Sequence, residues 1–199
     1  VKLLAPLIVV TLLLSACGDS SVTRQDVIDF IVDTIQAEED TPEGISDESL
    51  AEVQGCLVDE IKTRTADSYE AMLDEFKKAA EDDSYGVKYQ DVADEVFPGC
   101  LVDSREALEA SINAFFPGDI QVDLSGVDNF QREALAEMIS FSIGMFMPFE
   151  LPDDFGYCVA DYVVEDTGDT HRDILIDVLD DGATYDVVME EATEACLDF

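Results

Sequence analysis

The chain reads as all-α: helical-hairpin repeats in one disulfide-stapled bundle. Three observations say so. Apolar residues recur at the three- and four-residue spacing of a helix face along most of the chain. Capping signals and Pro or Gly breaks punctuate those stretches. Finally, related strings built on a cysteine recur: GCLVD from Gly55, GCLVD from Gly99, YCVAD from Tyr157 and ACLD from Ala195. In the first three an aspartate stands one helical turn after the cysteine, so the two share a face.

The elements follow in order. Thr23 with Asp26 forms a capping box, after which Val27, Phe30, Ile31 and Ile35 share a face opposite Asp26, Asp29 and Asp33. A break containing Pro42 and Gly44 precedes a second helix that starts near Ser46 and buries Leu50, Val53, Leu57 and Ile61, with Cys56 beside them. Tyr69, Met72, Leu73, Phe76 and Ala80 make a third stripe, and the polar turn Glu81–Gly86 ends it. Val92, Val96, Cys100 and Leu101 lie on the next segment, where Pro98 and Gly99 predict a kink or restart.

A helix over Ser104–Phe116 ends at Pro117 and Gly118. The loop that follows, carrying Gln121–Asp128, has the alternation of a small strand. Asp128 with Gln131 predicts the cap of a long helix to about Met147, stopped by Pro148 and Pro152. Phe155–Val164 with Cys158 comes next, then a helix capped by Thr170 and Asp173 that runs through Leu179, and a last one over Thr184–Leu197 with Cys196. The cysteine strings divide this plan into four degenerate hairpin modules, with a division into halves at 23–118 and 127–199.

Forty-seven acids face 10 bases, a formal charge of −37 at pH 7. A charge of that sign argues against nucleic acid, which needs a basic footprint, and an anionic lipid surface repels it. High net charge favours disorder, but 47% hydrophobic residues distributed without a long polar tract predict a folded chain.

The N-terminus adds a location. Lys2, the apolar run Leu3–Leu14 and the residues Leu14, Ser15, Ala16 and Cys17 resemble a bacterial lipoprotein signal peptide. The resemblance implies that residues 1–16 are removed, that Cys17 carries lipid on its thiol, that 17–22 form a lipidated tether and that 23–199 form the helical domain. The protein would then be extracytoplasmic and lipid-anchored to the bacterial cell membrane. Gly18 in place of Asp after Cys17 implies the outer membrane in a host with two. A spanning helix needs about 20 apolar residues, and Leu3–Ala16 is shorter. The cysteine strings also resemble short acidic modules in exported proteins of high-GC Gram-positive bacteria.

With Cys17 given to lipid, Cys56, Cys100, Cys158 and Cys196 remain for an oxidising compartment, an even number that predicts two disulfides. Three pairings are open. Neighbouring modules favour Cys56 with Cys100 and Cys158 with Cys196, each closing a loop of roughly 40 residues that constrains the unfolded chain by up to about 4 kcal/mol. Structural zinc asks for close cysteine pairs, which are absent.

Catalytic signals are sparse. His171, the single histidine, lies near a helix start between Asp169 and Asp173 and reads as an exposed first-turn residue. There is no GxSxG, HExxH or phosphate-binding glycine loop. Asp177–Val188 places Gly182 as an EF-hand would, yet Leu179 and Val188 stand where oxygen ligands are needed. Two acidic loops, one with Asp119, Asp123 and Asp128 and one with Asp166 and Asp169, are the candidate cation sites. The uncharged stretch between Glu137 and Glu150, with Met138, Phe141, Met145, Phe146, Met147 and Phe149, is expected to be the central core helix. An adaptable Met and Phe groove for a partner or apolar ligand is the functional alternative.

The expected function is therefore a non-catalytic interaction or structural lipoprotein, without cofactor or metal, whose acidic face engages a basic protein or an envelope component. A cation- or small apolar ligand-binding lipoprotein is the alternative. Loss of Lys2 with the signal takes the charge to −38, which over a folded surface of roughly 9,000 Å² is one net charge per about 230 Å², a spacing near 15 Å. The Debye length is about 8 Å in physiological salt and about 30 Å at 0.01 M. The melting temperature should therefore rise with NaCl between those limits, and thermal melts that are flat across the series would refute this.

Overall fold

The computed structural model describes residues 21–37, 45–81, 87–115, 121–180 and 183–197, which form α-helices and turns with no strand among them. In chain order these are α1 (Arg24–Ala37), α2 (Asp47–Thr65), α3 (Tyr69–Glu81), α4 (Val87–Asp103), α5 (Arg105–Phe115), α6 (Phe130–Gly144), α7 (Phe155–Thr167), α8 (His171–Leu179) and α9 (Asp186–Leu197). Cys17, the rest of the signal and tether as far as residue 20, and Asp119 lie outside the described residues.

Capping fixes several starts. Thr23 donates its N–H and hydroxyl to the Asp26 carboxylate at 2.7 Å each, and the Asp26 N–H returns to Thr23 Oγ1 at 3.3 Å. Ser46 Oγ accepts from the Ser49 N–H, and Thr170 with Asp173 closes a second capping box on α8. Each such cap is worth about 1 kcal/mol.

Four local expectations are corrected. The cap of α6 is Asn129, whose side chain accepts from the Arg132 N–H, not Asp128. That helix stops at Gly144, short of Met147. α4 runs through Pro98 without a restart, because its last turns are anchored on both sides, Cys100 to α2 by a disulfide and Asp103 to α8 by an ion pair. Such anchoring offsets the roughly 3 kcal/mol of an interior proline. Residues 121–124 are extended but form no strand. The N–H groups of Val122 and Leu124 bond Asn113 Oδ1 and Glu109 Oε2 on α5 at 2.8 Å each, so side chains replace a partner strand.

The hairpins group into a longer repeat. α1–α4 and α6–α9 are built alike: first helix against second, first against third and second against fourth. In each unit the second and fourth helices are bridged, Cys56–Cys100 with a Cα separation of 5.6 Å and Cys158–Cys196 with 5.9 Å.

The repeat extends to single hydrogen bonds. At the end of α2, the Thr65 hydroxyl donates to Ile61 O, Ala66 adopts φ 58° and the Asp67 N–H donates to Thr65 Oγ1. Tyr89 of α4 donates its hydroxyl to the Asp67 carboxylate at 2.8 Å. At the end of α7, Thr167, Gly168 (φ 77°) and Asp169 do the same, and the Tyr185 hydroxyl reaches Asp169 at 3.0 Å. The common spacing is C-x2-D-x5-T-x-D followed by Y-x10-C.

The halves are joined through α5. The largest core gathers Leu135, Phe155, Val159, Ile174 and Leu175 of the second unit, and Val102, Leu108 and Ile112 from α4 and α5 belong to it. A second core holds Val27, Ile28, Val58, Ile61 and Met72, and a third around Val53, Leu57, Val96 and Cys100 lies between them.

α6 and α7 cross closely, so that a Cβ on Gly156 would stand 2.1 Å from the Ala136 carbonyl oxygen. Gly144, where a Cβ would meet only Leu151 at 3.6 Å, has room. Gly156→Ala should lower stability by about 1–3 kcal/mol as overpacking does, while Gly144→Ala leaves it unchanged or slightly raised. Equal melting temperatures for the two variants in calorimetry would refute the close crossing.

Candidate functional site

The C-x-x-D strings are ion-pair sockets. Each aspartate sits one turn beyond its cysteine and takes an arginine from another helix. Arg24 Nε donates to Asp59 at 2.8 Å within the first unit, and Arg132 forks onto Asp161 at 2.7 and 2.6 Å within the second. Arg172 at the start of α8 forks onto Asp103 at 2.6 and 2.7 Å and so ties the units together.

The residue before the cysteine makes room for the guanidinium. A Cβ on Gly55 would lie 2.5 Å from Arg24 Nη2, so a larger residue there would push the guanidinium aside from its place across α2. In the YCVAD string the space is used differently, with Arg132 stacked 4.8 Å over the Tyr157 ring. These pairs are about half exposed, and surface pairs contribute up to about 1 kcal/mol each. Sequence reasoning missed the arginines, because a cysteine string marks the acceptor and says nothing of a donor 29 to 69 residues away.

His171 is not free at the surface as expected. Its Nε2 lies 3.1 Å from Asp161 Oδ1, beside Arg132 on the same carboxylate, and its side chain is 18% exposed. The bond to the Arg132 guanidinium, and then that to His171, holds the Asp161 carboxyl below its ordinary value. Tyr157 is pushed up to about 12, chiefly because its hydroxyl donates to Glu133.

The cation candidates do not assemble. Among the described residues no group of three or more His, Cys, Asp or Glu side chains is placed to hold a metal ion. Asp123 instead accepts from the Ser125 N–H at 2.9 Å, and Asp169 accepts from Tyr185. A cleft of about 620 Å³ is lined by Glu48, Glu52, Glu106 and Glu109 with Arg105. Three of its charges already have structural partners: Glu106 accepts from the Ser46 N–H and hydroxyl, Glu109 from Leu124, and Arg105 donates to Val127 O. Among the described residues the carboxylate held above its ordinary value is Glu137, by burial and then by Glu133, and it lies outside this cleft.

The Met and Phe stretch is divided. Met138 and Ile139 enter the core, whereas Met145, Phe146 and Phe149 follow the end of α6 and are 59%, 84% and 54% exposed. The expected burial of the whole stretch fails because Gly144 ends the helix before those side chains can turn inward. A largely apolar groove of about 210 Å³ is lined by Met138, Ile139, Ser142 and Ile143 of α6, Val159, Val178, and Asp186 and Met189 of α9. The first unit has its counterpart, about 230 Å³, lined by Phe30, Ile31, Thr34, Ile35 and Phe76 with Ala79 and Ala80. Counted from Arg24 and Arg132, the four lining positions of α1 and α6 coincide.

Acid should act in two opposed senses. Asp26, Asp67, Asp161 and Asp173 are held below their ordinary values by hydrogen bonds, first of all from Thr23, Lys88, Arg132 and Thr170. Depressed carboxylates contribute stability that is present above their unfolded pKa of about 3.9 and lost as pH falls through the lowered folded value. Protonation of the other surface carboxylates relieves repulsion over a higher range. At low salt the melting temperature should rise from about pH 7 to about pH 4.5 and fall below about pH 3.5. Asp161→Asn should flatten the acid limb, and a monotonic profile in pH-series melts would refute this account. No protein-family model, curated protein or solved structure matches this chain.

Proposed function

We propose that this protein is a lipid-anchored, extracytoplasmic lipoprotein that works without catalysis, as an interaction module for a basic protein or envelope component. The supporting observation is how its cations are used. Every lysine and arginine among the described residues has an internal partner. Arg24, Arg64, Arg132, Arg172, Lys78 and Lys88 meet carboxylates, Arg105 bonds Val127 O, Lys62 bonds Asp67 O, and Lys77 lies over the Phe30 ring. With 47 acids to 10 bases, most carboxylates of the chain have no cation of its own to meet. Such a field steers cationic partners and repels anionic ones.

Anchoring at Cys17 would hold this surface near the membrane, since two or more acyl chains make a stable anchor where one does not. Binding of a small apolar ligand is the second reading, favoured by the two apolar grooves of about 210 and 230 Å³.

Crosslinking in the cell that makes the protein, followed by mass spectrometry of the membrane fraction, tests both parts. One abundant basic partner is expected, and Cys17→Ala should move the protein out of that fraction. Recovery of envelope bystanders alone would favour the ligand reading, and unchanged membrane retention of Cys17→Ala would refute the anchor.

A further inference from the structure

We infer that the groove between α6 and α9 of the second unit, together with the exposed Met145 and Phe146 in the turn that follows α6, is the docking site for a cationic amphipathic helix of a partner protein. The inference deepens the reading of a basic partner and rests on it.

Shape and composition are the first argument. The groove is apolar along α6 through Met138, Ile139 and Ile143 and continues into Met189, and the N–H of Phe146, whose side chain is 84% exposed, bonds the Ile143 carbonyl at 3.0 Å. Methionine and unbranched apolar surface adapt to varied side chains, and a groove between helices receives apolar anchors spaced three and four apart. Met145, Phe146 and Phe149 are 59%, 84% and 54% exposed within five residues of chain, and contiguous exposed apolar surface marks interaction sites.

Charge selects the occupant. Asp186 lines the groove itself, exposed Glu190 follows Met189 on α9, and Glu150, Asp153 and Asp154 follow the Phe146 segment. From residue 133 to the end, Arg172 is the single base, and it is forked onto Asp103. A second copy of this chain would bring like charge to like charge, and an anionic lipid surface would be repelled. A helix with lysines or arginines flanking an apolar stripe satisfies both the groove and its rim.

The internal repeat supplies an independent comparison. In the first unit Lys77 of α3 places its ammonium 6.0 Å over the ring of Phe30, which lines that unit's own groove. Counted from the shared Asp67 and Asp169, the positions of Lys77 and Lys78 become Leu179 and Asp180 in the second unit. The first groove carries a cation of its own, and the second has an acid where that pair of lysines stood.

The test uses the full chain carrying Cys17→Ser, so that no lipid or detergent competes, and labelled synthetic 18-residue peptides. One has a leucine stripe and a lysine face, one has the same lysines and leucines scrambled, and one replaces lysine by glutamate. Fluorescence anisotropy should show the Leu/Lys helix binding at least tenfold tighter than either control. Phe146→Ser and Asp186→Lys should each weaken it about tenfold, while Asp33→Asn on the first unit has no effect.

Equal binding of the scrambled lysine peptide would overturn the groove but leave a basic partner in place, and no binding of either lysine peptide would remove both. Equal binding of the glutamate peptide would make the groove a site for apolar ligands regardless of charge. Dimerisation lost in Phe146→Ser, seen by sedimentation, or flotation with phosphatidylcholine vesicles lost in the same variant, would replace the helix by a second copy or a membrane.

Discussion

Two covalent bridges hold together a chain that its own charge pushes apart. Each joins the second helix of a unit to the fourth, closing spans of 44 and 38 residues, and in the chain-entropy account each removes about 4 kcal/mol of freedom from the unfolded state. That is a large share of the roughly 5–15 kcal/mol that stabilises a typical domain. The first and third helices of each unit have no such tie and rely on packing, caps and the arginine sockets. Both apolar grooves involve these unbridged helices. The bridged pair thus acts as a frame, and the grooves are lined by the unbridged helices, joined in the second unit by Val159 of α7 and by Asp186 and Met189 of α9.

With so few bases, where each one is used decides what the surface presents. Arginine is suited to these sockets because its planar fork engages both carboxylate oxygens and its face stacks on an aromatic ring, as Arg132 does on Asp161 and Tyr157. A lysine in place of Arg172 would keep the charge yet lose the second bond to Asp103 and with it the orientation of α8 against α4. The cations therefore act as internal fasteners, and the carboxylates left over define the exterior. The exposed Phe146 and Phe149 stand in a stretch that Glu150, Asp153 and Asp154 follow, all three exposed.

The all-α class and two-disulfide stapling were legible, because helix faces are written in a 3.6-residue period and caps in local residue types. Thr23, Ser46 and Thr170 open helices as their side chains dictate. Less local features were harder to read. Asn129 outcompetes Asp128 as a cap by one position, a difference that two neighbouring residues of equal capping preference do not reveal. Pro98 breaks an isolated helix but not one anchored at Cys100 and Asp103. The repeat was obscured because the cysteine strings look like four equal markers; pairing them reveals Thr-x-Asp nine residues after the first cysteine of each pair and tyrosine eleven before the second.

That longer period also gives the two units their different characters. Where sockets, turn and tyrosine are duplicated down to single hydrogen bonds, the same chemistry is needed twice, and those positions maintain the frame. Where the units diverge, the frame is not at stake. The first unit has Phe30 under Lys77 at its groove, whereas the second has Met138, Leu179 and Asp180 at the corresponding positions and an exposed Phe146 just after α6. Divergence on the groove, set against identity in the frame, ties the asymmetry to what each face meets. One groove is partly closed by its own cation, and the other presents apolar surface and carboxylates together, a combination satisfied by a partner that brings both an apolar stripe and positive charge.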